Sequence, residues 1–379
     1  MERTVRLLIQ NAFASRLYYK ACCFVLYFVA ASASFNGYYG KWHFAEDGAS
    51  GEDWRYHFEM MVDGTAHRPY VYRQLLPAAA NWMDRAVPRS FETWLYNYQG
   101  GGEEAHMNVV FDTATAENPT YFFRYLIFYI ATFLFALLAV YAMYLVCRAL
   151  KIPQPAAVFA PAIVILLVPY IESEGGFFYD YPELAFLALA VWIALKFDWW
   201  WMIPVAALGT WNKESFLLAI PTLYPLMRQR SSRMNAWLGV AVLCLVSVAV
   251  YTPIRMRFAH NPGSAMELHW HDQLNYYAHP LNLLFGTEIT YGVLAIKAFT
   301  LVPMVLLGWT VWRGWRHLPI AIQRHGLIAA AINIPLYFLF CWPGELRNLS
   351  LLYVVFLLVL AVNLNQWIGR FGAAETPLL

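Results

Sequence analysis

The chain has 379 residues, 60% of them hydrophobic and 18% aromatic, while only 13% are Asp, Glu, Lys or Arg. A soluble domain averages about 25% charged residues, so the deficit excludes a disordered chain, a coiled coil and a water-soluble enzyme on one anchor. The formal net charge of +2 excludes little by itself, because it sums over two unequal faces.

In chain order, apolar runs near the roughly 20 residues that cross a bilayer fall at 18–35, 121–147, 156–172, 181–196, 235–253, 291–312, 326–342 and 349–368. The stretch 199–227 is long enough for one span, but Asn212, Lys213 and Glu214 would then sit at mid-membrane, where ionisable groups are costly. A single crossing would also separate Arg228, Arg230 and Arg233 from the other basic loops. Two short helices, 199–210 and 215–227, entering and leaving by one face, remove both conflicts. The expected fold is therefore all-α: a polytopic transmembrane helical bundle of about ten helical segments, one domain over 1–379.

With both termini on one side, that side carries 14 basic residues against three acids (Glu2, Asp198, Glu375). The other side keeps 12 basic and 21 acidic residues, so the split is +11 against −9. The positive-inside rule places both termini in the cytoplasm. Basic residues, a short apolar run and Ala31-Ser32-Ala33-Ser34 also mimic a cleavable signal peptide. On either reading residue 36 onward emerges outside, giving a first outer loop over 36–120 and a second over 254–290. Shorter outer connections fall near 172–181, 211–214 and 343–348. Within the first loop Gly100-Gly101-Gly102 marks a turn, and Tyr70–Trp82 reads as an apolar helix at the interface. The five cysteines lie in or beside apolar runs and read as packing residues.

Asp53, Arg73, Asp180, Glu183, Lys213, Glu214, Glu345 and Arg347 come from separate segments, yet all fall on the outer side. Ionisable residues at a membrane edge are functional candidates because burying them is expensive unless they are paired. Asp53 is placed to take a proton from a hydroxyl, with Glu52, Asp47 and Glu46 as fallbacks, and Arg73 to hold a phosphate. The alternative is a solvated acidic loop with Arg73 snorkelling under an interfacial helix. Asp180 and Glu183 open a span, where an acid also serves as a helix cap; Glu172 and Glu174 precede them. Lys213 at the tip of a broken helix suits a phosphate with Glu214 as partner, or forms a self-neutralising pair with it. Arg347, pinned near the surface by a six-residue connection, suits a phosphate, or pairs locally with Glu345.

His269-Trp270-His271 lacks a third ligand at a recognisable spacing, so no metal site is expected. The Trp199-Trp200-Trp201 cluster and Trp309, Trp312 and Trp315 fit an interfacial aromatic belt. There is no phosphate-binding Gly-rich loop, Gly-x-Ser-x-Gly elbow or His-Glu-x-x-His sequence, and no cytoplasmic loop is long enough to fold, so nucleotide-driven chemistry in a cytoplasmic domain is not expected.

The long first outer loop, the acid soon after span one, Tyr72-Arg73-Gln74-Leu75-Leu76-Pro77, Asn212-Lys213-Glu214 and Glu345-Leu346-Arg347-Asn348 together resemble the GT-C class of integral-membrane glycosyltransferases of bacterial type. The resemblance is architectural over most of the chain, which is shorter than many members and lacks the soluble C-terminal domain some carry. It implies an inverting transfer of sugar from a polyprenyl-phosphate donor to a glycan, lipid or protein hydroxyl, at the periplasmic face of a bacterial inner membrane. By it, Asp53 is the general base, and Arg73, Lys213 and Arg347 neutralise the leaving phosphate. Asp180 orients hydroxyls or helps hold a divalent cation if one is used; the sequence requires no cofactor. Membrane lipid is an expected partner and nucleic acid is not. An O-antigen-type polymerase or ligase, a lipid or glycan flippase or transporter, and a non-catalytic assembly subunit remain rival readings.

Overall fold

The computed structural model describes residues 2–45, 57–100, 111–264 and 266–374. Asp53, like Glu46, Asp47 and Glu52, lies outside them. About 76% of the protein is helical, with almost no sheet. The main helices are α1 (Glu2–Trp42), α2 (Leu75–Ala86), α3 (Phe122–Ala149), α4 (Gln154–Ile171), α5 (Asp180–Lys196), α6 (Ile203–Asn212), α7 (Phe216–Thr222), α8 (Arg233–Arg257), α9 (Trp270–Ala278), α10 (Leu301–Trp315), α11 (Ile320–Phe340) and α12 (Tyr353–Ala374). Five segments are long and apolar enough to cross a membrane: Leu17–Trp42 within α1, then α3, α4, α8 and Leu346–Gly369.

The centre is α5. Its 17 residues are buried on nearly every side, as befits a helix that is apolar all round. Helix α3 packs along it, α1 packs on α3 and α4, and α12 closes on α4. Rings fill the space between them: Phe35 meets Tyr129 edge-on at 4.8 Å, and Tyr38 meets Tyr181 at 5.3 Å.

Residues 199–227 form a broken pair of limbs, as the placement of Lys213 required. The limb entering the break begins with Trp199 bonded to Asn235 near the start of α8, and reaches Thr210 bonded to Ser247, three turns further along. The limb leaving it returns to Tyr224, stacked on Trp237 near that same start. Both limbs thus run against α8 and their tip, 212–215, lies towards its far end. Gly209 permits the close approach, since a Cβ there would stand 2.7 Å from the Phe216 ring.

Four expectations are corrected. Residues 291–300 are not helical: β1 (Thr287–Thr290) and β2 (Val293–Ile296) form an antiparallel hairpin, and helix starts only at Leu301. Hydropathy merged the two because apolar strand residues score like apolar helix residues. Residues 36–42 continue α1 rather than opening a loop. The 70–82 segment is broken: Tyr70–Tyr72 is a single tight turn, and α2 begins only after Arg73 and Gln74. The last helix starts at Tyr353, after a 3₁₀ stretch over Leu346–Leu352.

Replacing Gly209 by Leu should overpack the limbs and cost about 1–3 kcal/mol, seen as a lower melting temperature in detergent. The double variant Gly209→Leu with Phe216→Ala should recover most of that loss; no recovery would mean the limbs do not meet there.

Candidate functional site

Seven of the eight sequence candidates meet at one end of the bundle, and their pairing differs from the expected one. Lys213 does not pair with the adjacent Glu214. Its Nζ lies 2.6 Å from Glu183 Oε2 and 3.9 Å from Asp180 Oδ1. Glu214 instead faces Arg73 at 3.3 Å. Arg347 joins its local partner Glu345 at 3.1 Å and also approaches Asp180 at 3.6 Å. Arg73 is not a snorkelling surface residue but is 9% exposed; Arg347 and Lys213 are 6% and 4% exposed.

Local chain geometry explains the assembly. The break after α6 leaves Lys213 in an extended conformation, so Lys213 and Glu214 point apart, as successive side chains do in extended chain. The tip is tied down on three sides. Asn212 donates to the Tyr179 carbonyl at 2.9 Å, Trp211 O accepts from Gln74 N–H at 3.1 Å, and Ser215 donates to Glu183 Oε1 at 3.0 Å. Ser350 donates to the same oxygen at 2.7 Å. Asn333 on α11 holds the Leu346–Leu352 stretch by donating to Asn348 O and accepting from Leu351 N–H. Asp180 does not cap its own helix: its Oδ2 accepts from Phe177 N–H at 2.8 Å, three residues upstream.

An aromatic floor underlies the cations. Phe177 and Tyr179 stack at 5.0 Å and 7°, with Tyr70 beside Phe177 at 5.9 Å. The Arg347 guanidinium lies 4.4 Å from the Phe177 ring, Arg73 4.4 Å from Tyr179, and Lys213 5.5 Å from Tyr179. The Tyr179 hydroxyl also accepts from Arg73 Nη1. Burial pushes the Tyr179 phenol up. Burial disfavours the Arg73 charge, but Tyr179 and Glu214 outweigh it and hold the guanidinium above its ordinary value.

Above the floor opens a cleft of about 400 Å³, within the size range of small-molecule sites. Arg73, Lys213, Glu214, Glu345 and Arg347 line it; Asp180 and Glu183 stand behind. One wall is apolar, formed by Leu217, Leu218, Tyr251, Leu336 and Phe340. Arg73 Nε, Arg347 Nε and Nη1, and Glu214 Oε2 are buried without hydrogen-bond partners. Buried guanidinium N–H groups are normally satisfied, so these donors are left with bonding capacity beside the cleft.

The cleft also holds residues that sequence reasoning left out. Tyr70 does not stand out from the general aromatic content, nor do Phe177 and Tyr179 beneath the cleft, and Ser215 and Ser350 carry no pattern of their own. His269 was weighed only as a zinc ligand. It lines the cleft, stacks near Trp342 at 4.8 Å, and its Nδ1 meets Asp272 Oδ2 at 3.0 Å. Its i,i+3 spacing to Asp272 on the first turn of α9 was the available signal. Among the described residues, no group of three or more His, Cys, Asp or Glu is arranged to hold a metal ion.

Glu172 lies beside this network, 2% exposed, with Oε2 unpartnered. Burial first and Asp180 second push its carboxyl well above 4.5, against the opposing pull of Arg347, Lys41 and Lys213. Glu174, the other acid of that loop, pairs with Lys297 instead.

Comparison of the chain with family models, curated proteins and solved structures finds no match.

Lys213→Met should strand Glu183 as a buried, uncompensated charge and cost about 3–5 kcal/mol, whereas Lys213→Met with Glu183→Gln should restore much of it. Thermal melts of the four proteins complete that cycle. For Glu172, a raised folded-state pKa means that the folded protein holds the proton more tightly than the unfolded one. Its stabilising contribution is present below 4.5 and is lost as pH rises through the folded value. Glu172→Gln should therefore flatten the fall in melting temperature above that pH; an unchanged pH profile would contradict a buried neutral carboxyl.

Proposed function

We propose that the protein is a polytopic membrane glycosyltransferase that moves a sugar from a polyprenyl-phosphate donor to a hydroxyl acceptor. In this reading both termini are cytoplasmic and the cleft opens on the periplasmic side of an inner membrane. One observation carries it. Three buried cations from three separate segments converge on a cleft with unsatisfied guanidinium donors, beside an apolar wall suited to a lipid chain. Cationic side chains with spare donors suit a sugar phosphate better than a neutral sugar.

The reaction follows from that placement. Arg73 and Arg347 receive phosphate oxygens, and Lys213 adds positive charge from below. Tyr70, which lines the cleft, offers a ring to the sugar, while Phe177 and Tyr179 support the cations from beneath. Asp53 takes the acceptor's proton, and the acceptor oxygen bonds to the anomeric carbon from the face opposite the phosphate. The carbon–oxygen bond to phosphate breaks, its electron pair stays on the phosphate, and configuration inverts. Asp180 and Glu183 act through the cations they hold. A transporter needs access to its site from both faces, whereas these seven residues gather at one end of the bundle.

Asp53→Asn should abolish sugar transfer while expression and membrane insertion persist, measured in membranes supplied with a lipid-linked donor; near-normal turnover would remove Asp53 as the base. Arg347→Gln, which removes a donor aimed at the developing phosphate charge, should lower turnover about 10²–10³-fold. Lipid and glycan mass spectrometry of cells with and without the gene then identifies the product.

A further inference from the structure

The β1–β2 hairpin falls where hydropathy placed a spanning helix, and its surroundings give it a role. Its inward face carries Glu288 and Thr290. Glu288 pairs with Lys41 at 3.0 Å and accepts from Ser173 at 3.4 Å. The outward face is set by the register Thr287↔Ile296 and Ile289↔Leu294. There Ile289, Leu294 and Ile296 are 65%, 72% and 50% exposed, and Phe285, just before the strand, is 77% exposed. Such an unpartnered apolar face, standing in water, would be an aggregation site.

The hairpin's height relative to the spanning helices decides what covers it. The turn is Tyr291-Gly292, both at positive φ (56° and 72°), the two-residue geometry that closes a tight hairpin. A tyrosine pays steric strain there, which persists only when its surroundings hold it. They do: the Tyr291 hydroxyl donates to Leu166 O at 2.8 Å, and its ring sits where Gly37 has no Cβ, 2.7 Å from the position one would occupy. Leu166 lies five residues before the end of α4, and Gly37 five before the end of α1. At about 1.5 Å per residue, the tip reaches roughly 7 Å below the ends of two membrane-length helices.

The helix that follows points the same way. Helix α10 has 15 residues, about 22 Å, against a hydrocarbon core of about 30 Å. It is nevertheless apolar and exposed around Leu301, Val302, Val305, Leu306, Trp309 and Trp312, so its upper end lies inside the apolar layer. Residues 285–300 must then make up the difference.

We propose that the hairpin is a membrane-inserted wedge, its Phe285, Ile289, Leu294 and Ile296 face covered by acyl chains of the leaflet on the cleft side. An insertion of about 7 Å fits the 5–10 Å at which amphipathic elements lie in the headgroup–acyl boundary. The open strand edges stay in that hydrated zone, since hydrocarbon does not tolerate them. The Lys297–Glu174 pair at 2.5 Å ties the wedge to the loop that carries Phe177 and Tyr179, and the Lys41–Glu288 pair ties it to the end of α1. The proposal rests on the membrane reading given above, but not on the reaction.

The test places nitroxide labels on the full chain in phosphatidylcholine nanodiscs, with the unsubstituted protein supplying the background from native cysteines. Leu245→Cys, on the exposed side of α8, reports the membrane reading. Leu294→Cys and Ile289→Cys report the wedge, and either suffices if the other fails to fold. All three labels should be several-fold more accessible to oxygen than to a water-soluble nickel chelate, with the hairpin labels shallower than the α8 label. A lipid-protected Leu245 with hairpin labels open to nickel would overturn the wedge alone. Exclusion of both relaxants from the hairpin would also overturn it, by showing a protein partner on that face. A nickel-accessible Leu245 would overturn the membrane reading itself.

Discussion

Glu183 is a carboxyl group with almost no access to water, and the rest of the site follows from supplying it with partners. Burying such a charge costs several kcal/mol unless the geometry of its partners is excellent. Three donors meet that demand: Lys213 at 2.6 Å, Ser350 at 2.7 Å and Ser215 at 3.0 Å. They come from the broken tip after α6 and from the stretch before α12, while Glu183 itself lies in the first turn of α5. No single element can supply all of them. An unbroken helix through 212–215 would set Lys213 and Ser215 about 200° apart around its axis, so both could not face Glu183 and it would lose at least one of its three partners. The break is therefore the condition under which the central helix can carry an acid at its buried end.

The scarcity of charge made the site's members legible in the sequence. In a chain with 13% charged residues, each ionisable group at a membrane edge stands out, and the side on which it falls follows from the spans. What stayed hidden was the pairing. Lys213 and Glu183 are 30 residues apart, and Ser350 and Glu183 are 167 apart. Adjacency favoured a Lys213–Glu214 pair, but the extended backbone at Lys213 turns neighbours to opposite sides. The floor was hidden for a different reason. Phe177 and Tyr179 share a face because they are two residues apart, yet in a chain with 18% aromatics an alternation that short does not rise above the background.

The fold was legible wherever a run was both apolar and helical in period, as in α3, α4 and α8. It was misread where apolar residues serve a strand. Ile289, Val293, Leu294 and Ile296 raise a hydropathy window as much as helix residues do, and only the Thr-rich flank and Gly292 mark the difference.

The charge balance of the cleft narrows what it can receive. Arg73, Lys213 and Arg347 stand against Asp180, Glu183, Glu214 and Glu345, so three cations face four carboxylates. Without those acids three buried cations would repel one another and the fold would not hold them. The acids leave the cations incompletely satisfied. Glu214 engages Arg73 through one oxygen at 3.3 Å and Glu345 engages Arg347 at 3.1 Å, while Arg73 Nε and Arg347 Nε and Nη1 lack hydrogen-bond partners. Each unsatisfied buried donor costs about 1–3 kcal/mol, a cost that acceptor atoms entering the cleft would offset. Glu214 Oε2 is buried without a partner as well, so the cleft presents an acceptor beside its donors and can engage a group that both accepts and donates.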